Sequence, residues 1–504
     1  MPIYYYQVAG WKSHVTRPHG KYIPRPTEEV AHILWDYLAE DGLLTLTLGI
    51  APCGASYLLV AATPDLNAEL RRLFQGSAWP ATRFVALSPV EFRTADALHA
   101  KLNRHQQKSK GRKGRRNDED RDLSQANTHY TTGRPFDVVS QDGRDRALFE
   151  HHRVFYRLCR ASVDSAEYSV QRVPFFDNIR ALSFACTIHE PSRWRNDEER
   201  RTSPVILDLG LTEWILPASS MDMTAERDEY YTVQPRALLQ NPGRTRGKYM
   251  YGEPQPVTDD VLREKLAQTF ARRLDAPMLL FMHNADDALD VLRFYGVDTS
   301  DWTTHFEPVV GRDVLAVSAR HPLKNTKDEP DVRGRYDSQH RARSDRSRSP
   351  TRGAHAPRAR SPPPQTSRHP VYVVDIAALS ATMRRTPAPP HAPVQQLADA
   401  LGVALDPPFP AGQWCAGNES RLVALIWCAL AAGNAIDEQY LEMQAQMNRP
   451  IPAPEVQAPL AAAAPPGKWD DDVDPNDVVA AQPPPGQRPN NPYDDFESED
   501  FEEW

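Results

Sequence analysis

Leu279–Gly296 reads LLFMHNADDALDVLRFYG. Three apolar residues and a methionine lead into His283–Asn284. Beyond them Ala288, Leu289, Val291, Leu292 and Tyr295 recur at helical spacing. Asn284 suits an N-cap, Asp286 and Asp287 suit the positive first turn of a helix, and Gly296 suits the position just past its end. The stretch therefore predicts a strand, a tight turn and an amphipathic helix, with polar groups gathered at the junction. In open α/β sheets ligands bind at such junctions.

Toward the N-terminus, residues 1–105 read as a small α/β unit. Strands are expected at Ile3–Val8, Leu43–Ile50, Tyr57–Ala62 and Arg83–Leu87. Helices are expected at Thr27–Ala39, from Thr63–Pro64 through Phe74, and at Pro89–Leu102. That is the β-α-β-β-α-β, or ferredoxin-like, order. Tyr57-Leu-Leu-Val lacks the Gly-Phe-x-Phe aromatics of an RNA-recognition motif, which favours a structural or protein-contact module.

Closer to the opening stretch, Ala147–Leu158 is expected to be a helix, and Ala181–Ile188 and Pro204–Leu211 strands. Thr258–Leu274 reads as a helix and Arg312–Ser318 as a short strand. Past it, Val371–Ile376 is a β-branched strand, Val394–Leu401 a short helix, and Gly412–Ser420 a turn into the apolar helix Arg421–Ala432. Ile436–Met447 is a last helix.

At 504 residues the chain is expected to hold two to four domains, and 46 prolines are too many for globular parts alone. The net charge of −8 conceals strong segregation. Residues 106–145 read as a basic and then mixed-charge linker that opens with KSKGRKGRR. There Lys108, Lys110, Arg112, Lys113, Arg115 and Arg116 form a nuclear-import signal, a phosphate-binding patch or a solvated linker. Residues 320–370, rich in Arg, Ser and Pro, are expected to be a disordered insertion within a domain spanning 146–448. Residues 449–504 are expected to be a disordered acidic tail, either solubilising or able to dock a basic protein partner.

The five cysteines show no CxxC or zinc spacing and are odd in number, which favours buried thiols in a reducing compartment. MPIYYYQVAGWKSH lacks an apolar signal core. The longest apolar run, Leu422–Ala432, falls short of the ~20 residues of a membrane span. An intracellular protein, nuclear or cytoplasmic and without membrane association, is expected.

His283-Asn284-Ala285, with Leu292 further on, resembles the second motif of the DEDD 3′–5′ exonucleases, a ribonuclease-H-like superfamily. In that motif, His-Asn-Ala-x-x-Asp-x-x-x-Leu, the Asp holds a catalytic Mg²⁺; here its position is Ala288. Leu207-Asp208-Leu209-Gly210, Tyr251-Gly252-Glu253-Pro254, Val374-Asp375-Ile376 and Trp414-Cys415-Ala416-Gly417-Asn418-Glu419-Ser420 follow in the order of one fungal branch, the Gfd-type C-terminal domain. The resemblance covers roughly residues 180–435. It implies a ribonuclease-H-like mixed sheet flanked by helices.

The resemblance also implies where chemistry is missing. Such nucleases hold two Mg²⁺ on carboxylates, and a His helps deprotonate the attacking water. The first-strand Asp and Glu become Ala185 and Thr187, the second-motif Asp becomes Ala288, and the base becomes Trp414. Glu419 alone keeps a carboxylate. Magnesium requires oxygen ligands in near-octahedral array, which Ala cannot supply. A rescued site would have to recruit Asp208, Asp287, Asp375 and Glu419. Trp414 has two readings: it plugs the former cleft, or it offers a ring on which a base stacks.

The leading expectation is a non-hydrolytic pseudo-exonuclease without a metal cofactor. It would serve as a binding module for single-stranded RNA or DNA, or for protein partners. The alternatives are an active Mg²⁺-dependent 3′–5′ exonuclease with displaced ligands, and an interaction protein working through residues 1–105 and the tail.

Overall fold

The computed structural model describes residues 3–447 apart from 9–13, 17–21, 25, 64–65, 67–69, 71–73, 75–77, 107–121, 123, 132–135, 172, 191–196, 219–220, 272–275, 312–368, 387–392 and 411. The basic run, the Arg/Ser/Pro insertion, the strand expected at Arg312–Ser318 and the acidic tail therefore lie outside the described residues, as does most of the helix expected to end at Phe74.

The first part of the chain runs β1 (Tyr4–Gln7), β2 (His14–Thr16), β3 (Tyr22–Pro24), α1 (Thr27–Leu38), β4 (Leu44–Ile50), β5 (Ser56–Ala61), β6 (Trp79–Pro80), β7 (Ala86–Phe92), α2 (Ala95–His105) and α3 (Thr128–Thr131). It then enters the long helix α4 (Gln141–Cys159). One antiparallel sheet has the order β6-β1-β5-β4-β7. This corrects the ferredoxin-like expectation, because β7 pairs with β4 and the short β6 takes the edge beside β1. The register explains the misplaced helix as well. Pro89, which lacks an N–H, sits opposite Thr47 within β7, and nearly every residue of that strand is buried. The helix starts only at Ala95, where the Thr94 side chain accepts from the Ala97 amide.

The second part runs β8 (Arg180–Ile188), α5 (Asp197–Thr202), β9 (Ile206–Ile215), β10 (Thr224–Val233), β11 (Thr245–Arg246), β12 (Gln255–Val257), α6 (Asp259–Ala271), β13 (Met278–Met282) and α7 (Ala285–Phe294). It continues through β14 (Val371–Asp375), α8 (Ile376–Arg384), α9 (Val394–Ala400), β15 (Gln413–Trp414), α10 (Ala416–Ala432) and α11 (Ile436–Met447). A six-stranded sheet has the order β12-β10-β9-β8-β13-β14. Strands β8, β9 and β10 form an antiparallel meander, while β13 and β14 run parallel to β8. Helices flank the sheet: α6 and α7 pack Leu262, Leu266, Val291 and Leu292 on one face, and α10 packs Trp427 on the other. The architecture is mixed α/β.

No strand is expected from the sequence at Thr224–Val233, where β10 lies. The first half of β10 is charged and largely exposed, and only its last four residues are mostly buried, so its period-2 pattern is masked.

The N-terminal sheet and the second sheet meet on α4. The helix begins at Gln141, earlier than expected, where Ser140 accepts from the Gly143 amide. Glu150 and Arg153 pair with each other and are fully buried. Glu150 accepts from Ser88 Oγ on β7 and from the Ile436 amide at 2.8 Å. Arg153 donates to the carbonyls of Pro89 and Gly433. The expected linker is partly packed too: Asn127 exchanges hydrogen bonds with the Ser56 backbone on β5.

Candidate functional site: the cavity where β13 meets α7

The six-stranded sheet and α10 are brought together by two glycines. Gly210 of β9 lies so close to α10 that a Cβ there would stand 2.1 Å from the Ala416 carbonyl oxygen. A Cβ on Gly417 would stand 2.7 Å from the Tyr249 ring and 2.8 Å from that of Tyr230. Asn418 then locks the approach to the preceding loop. It accepts from the Met250 amide at 3.1 Å and donates to the Lys248 carbonyl at 2.8 Å.

This packing leaves a cavity of about 130 Å³ at the junction that opens the sequence analysis. Ala185 and Thr187 of β8, Ala288 of α7 and Glu419 of α10 line it, together with His283, Asn284 and Asp287 of the strand–helix turn. The loop after β10 contributes Asn241 and Arg244. Four of the five positions to which the resemblance assigns the metal ligands and the base, Ala185, Thr187, Ala288 and Glu419, thus share one space.

Within it the electrostatics are sparse. Glu419 Oε1 lies 3.5 Å from Arg244 Nη2. Burial pushes its carboxyl up to about 7; Arg244 opposes the shift and Asp208 adds to it. Burial alone pulls the His283 ring down to about 4, so it is neutral near pH 7. Asp287 is half-buried in the turn, where Asn284 Nδ2 donates to its Oδ2 at 3.1 Å.

The other expected carboxylates are employed elsewhere and do not line the cavity. Asp208 is fully buried under the N-terminus of α10 and accepts from Tyr230 Oη at 2.7 Å. Its carboxyl is pushed up by burial, against the Thr187 and Tyr230 hydroxyls and the Arg246 guanidinium. Asp375 caps two helices at once, accepting from the Ala378 amide at 3.0 Å and from the Ala285 amide at 3.1 Å. Among the described residues, no group of three or more His, Cys, Asp or Glu side chains is arranged to hold a metal ion.

Trp414 does not offer its ring for stacking. It is fully buried in the short parallel β11–β15 pair, with the Arg246 guanidinium 4.6 Å from its ring centre. It does not line the cavity, and its ring is not offered to a base.

Sequence reading missed Arg244 and Asn241. The available signal was the cationic GRTRGK, residues 243–248, next to the Tyr-Gly loop. Asn241 fixes the rim by donating to the Ile188 carbonyl at 3.0 Å and accepting from the Glu190 amide at 2.8 Å.

No protein-family model matches this chain, and no curated protein matches it in sequence.

Proposed function

We propose that residues 180–435 form a ribonuclease-H-like domain of the DEDD exonuclease type that does not hydrolyse, and that it binds single-stranded nucleic acid. The order of the resembling motifs supports the fold reading. So does a mixed sheet in which an antiparallel meander adjoins parallel strands with helices on both faces. The observation that carries the functional reading is the lining of the cavity. Ala185, Thr187 and Ala288 stand where the resemblance implies carboxylates, and Glu419 lies 3.5 Å from Arg244. The side chains present do not fit a pair of Mg²⁺ ions, which need several oxygen ligands each. Arg244 supplies a guanidinium and Asn241 and Asn284 supply amides to the lining, against the carboxylates of Glu190 and Asp287, while the Glu419 carboxyl, pushed up to about 7 by burial, does little to repel a phosphate.

The test is fluorescence anisotropy with end-labelled single-stranded RNA and DNA, in EDTA and in Mg²⁺, over a salt series. Binding is expected without Mg²⁺ and should weaken steeply as salt displaces the phosphate contacts. Absence of binding at low salt would leave only a protein-contact scaffold. Shortening of the strand in Mg²⁺ or Mn²⁺, abolished by Glu419→Ala, would restore the active-nuclease reading.

A further inference from the structure

The segment from Gln234 to Lys248, which leaves β10 and runs through β11, reads QPRALLQNPGRTRGK. It carries four cations, Arg236, Arg244, Arg246 and Lys248, and no Asp or Glu. It also carries the most exposed large apolar side chain among the described residues. Leu238 is 96% exposed, and Leu239 beside it 38%. A single exposed leucine is ordinary on a protein surface. This one is distinguished by how firmly it is held and by what lies next to it.

The segment is pinned along its length. Arg236 donates to the Ile206 carbonyl at 3.1 Å and pairs with Asp259, and the Leu239 amide donates to the Arg236 carbonyl at 3.0 Å. Asn241-Pro242-Gly243-Arg244 is a tight turn, with Gly243 at a φ of 72° and the Arg244 amide donating to the Asn241 carbonyl at 3.2 Å. The Thr245 and Gly247 amides donate to the Gly412 and Trp414 carbonyls. Arg246 Nη1 reaches back to the Ala237 carbonyl at 3.2 Å, which folds the cationic half of the segment against the leucines. The backbone on both sides of Leu238 is therefore fixed, and its side chain is presented to solvent.

Asn241, three residues further on, lines the junction cavity together with Arg244. Three residues reach at most about 11 Å, the rise of about three stacked nucleotides at ~3.4 Å each. Of the four cations, Arg236 is paired with Asp259 and Arg244 lies 3.5 Å from Glu419, while Lys248 is exposed. A nucleic-acid strand offers what this edge lacks: phosphates for a segment without carboxylates, and flat rings for an uncovered leucine. Leucine is among the side chains that pack against unstacked bases.

We infer, resting on the reading that the cavity takes a single strand, that Leu238 forms a base-contact subsite at its rim. A nucleobase of the bound strand packs on the leucine while the backbone follows the cationic half of the segment.

The test is fluorescence anisotropy of the full chain with two labelled probes of equal length: a short oligothymidylate, and an abasic strand that keeps the phosphates and lacks the bases. Leu238→Ser, at a position with almost no packing to lose, should weaken the oligothymidylate about tenfold and bind the abasic strand as wild type does, with unchanged salt dependence. Leu238→Trp should tighten the oligothymidylate, and its emission relative to wild type should be quenched by that probe and not by the abasic one. Equal oligothymidylate affinity in wild type and Leu238→Ser, or an equal loss on both probes, would overturn the subsite. So would sedimentation with phosphatidylserine vesicles that Leu238→Ser abolishes, which would assign the leucine to a lipid surface. Wild-type protein that binds neither probe would overturn the strand reading itself, and the subsite with it.

Discussion

Replacing Glu419 with Gln should flatten a pH dependence that the wild-type protein carries at this one carboxyl. Burial beside Asp208 moves the group from its ordinary 4.5 to about 7, with Arg244 too distant at 3.5 Å to reverse the shift. The folded state therefore holds this proton more tightly than the unfolded chain. The stability it contributes is full below about pH 4.5 and is lost as pH rises through about 7. The difference amounts to about 3 kcal/mol. Gln mimics the protonated acid and does not titrate. Relative to wild type, Glu419→Gln should thus gain up to about 3 kcal/mol between pH 4.5 and pH 8. Urea unfolding of both proteins at closely spaced pH values measures the difference directly, and other titrating groups cancel in it. A difference that stays constant across the window would refute the reasoning, because it would place the carboxylate in solvent or in a full ion pair with Arg244.

The neutral His283 acts with the opposite sign. Its ring is pulled down to about 4, so stability is lost as pH falls from about 6.5 to 4, and His283→Gln should remove up to about 3 kcal/mol of that acid lability in the same titration. If single strands occupy the junction cavity, wild-type affinity should rise as pH falls from 8 to 6 while that of Glu419→Gln stays flat, read by anisotropy at fixed salt. Gly210→Ala drives a methyl into the Ala416 carbonyl and should cost about 3 kcal/mol or more, seen as a lowered urea midpoint at unchanged slope. Glu150→Ala leaves Arg153 buried without its counter-charge, and a loss of about 3–5 kcal/mol is expected by the same unfolding assay.

The strand–turn–helix at the head of the sequence analysis is present in the structure. Met278–Met282 is a strand buried along its length, and Asn284 caps the helix that starts at Ala285. Local rules were sufficient there because pattern, cap and first-turn acids all agree. They failed where tertiary context decides. The helix expected from Pro89 is a strand because both of its faces are covered, and β10 went unseen because half of it faces solvent. The position of β7 beside β4 is a long-range pairing that no local signal encodes. In the site, Ala185, Thr187, Ala288 and Glu419 line one cavity. Arg244 and Asn241 were invisible because they come from a loop with no periodicity of its own.

Under the proposed ribonuclease-H-like reading, the residues that match the family's motifs and those that do not divide by the physics they serve. Gly210, Gly417 and Asn418 match, and each has a packing task that does not depend on metal: they bring α10 against β9 and tie it to the Lys248–Met250 loop. Asn284 and Asp375 match as well, and they cap helix N-termini at the same junction. The mismatches at 185, 187 and 288 fall where the only demand would be oxygen pointing into the cavity. Ala satisfies helix and strand at 288 and 185 without adding charge. Asp208 and Glu419 are buried carboxyls, and burial pushes both toward their neutral forms. Under that reading, acids at 185, 187 and 288 would join Glu190, Asp287 and Glu419 around about 130 Å³, an arrangement that low-dielectric surroundings penalise heavily without a cation. Under the proposed reading, Arg244 and the amides of Asn241 and Asn284 are the groups of this lining that would receive a strand's phosphate.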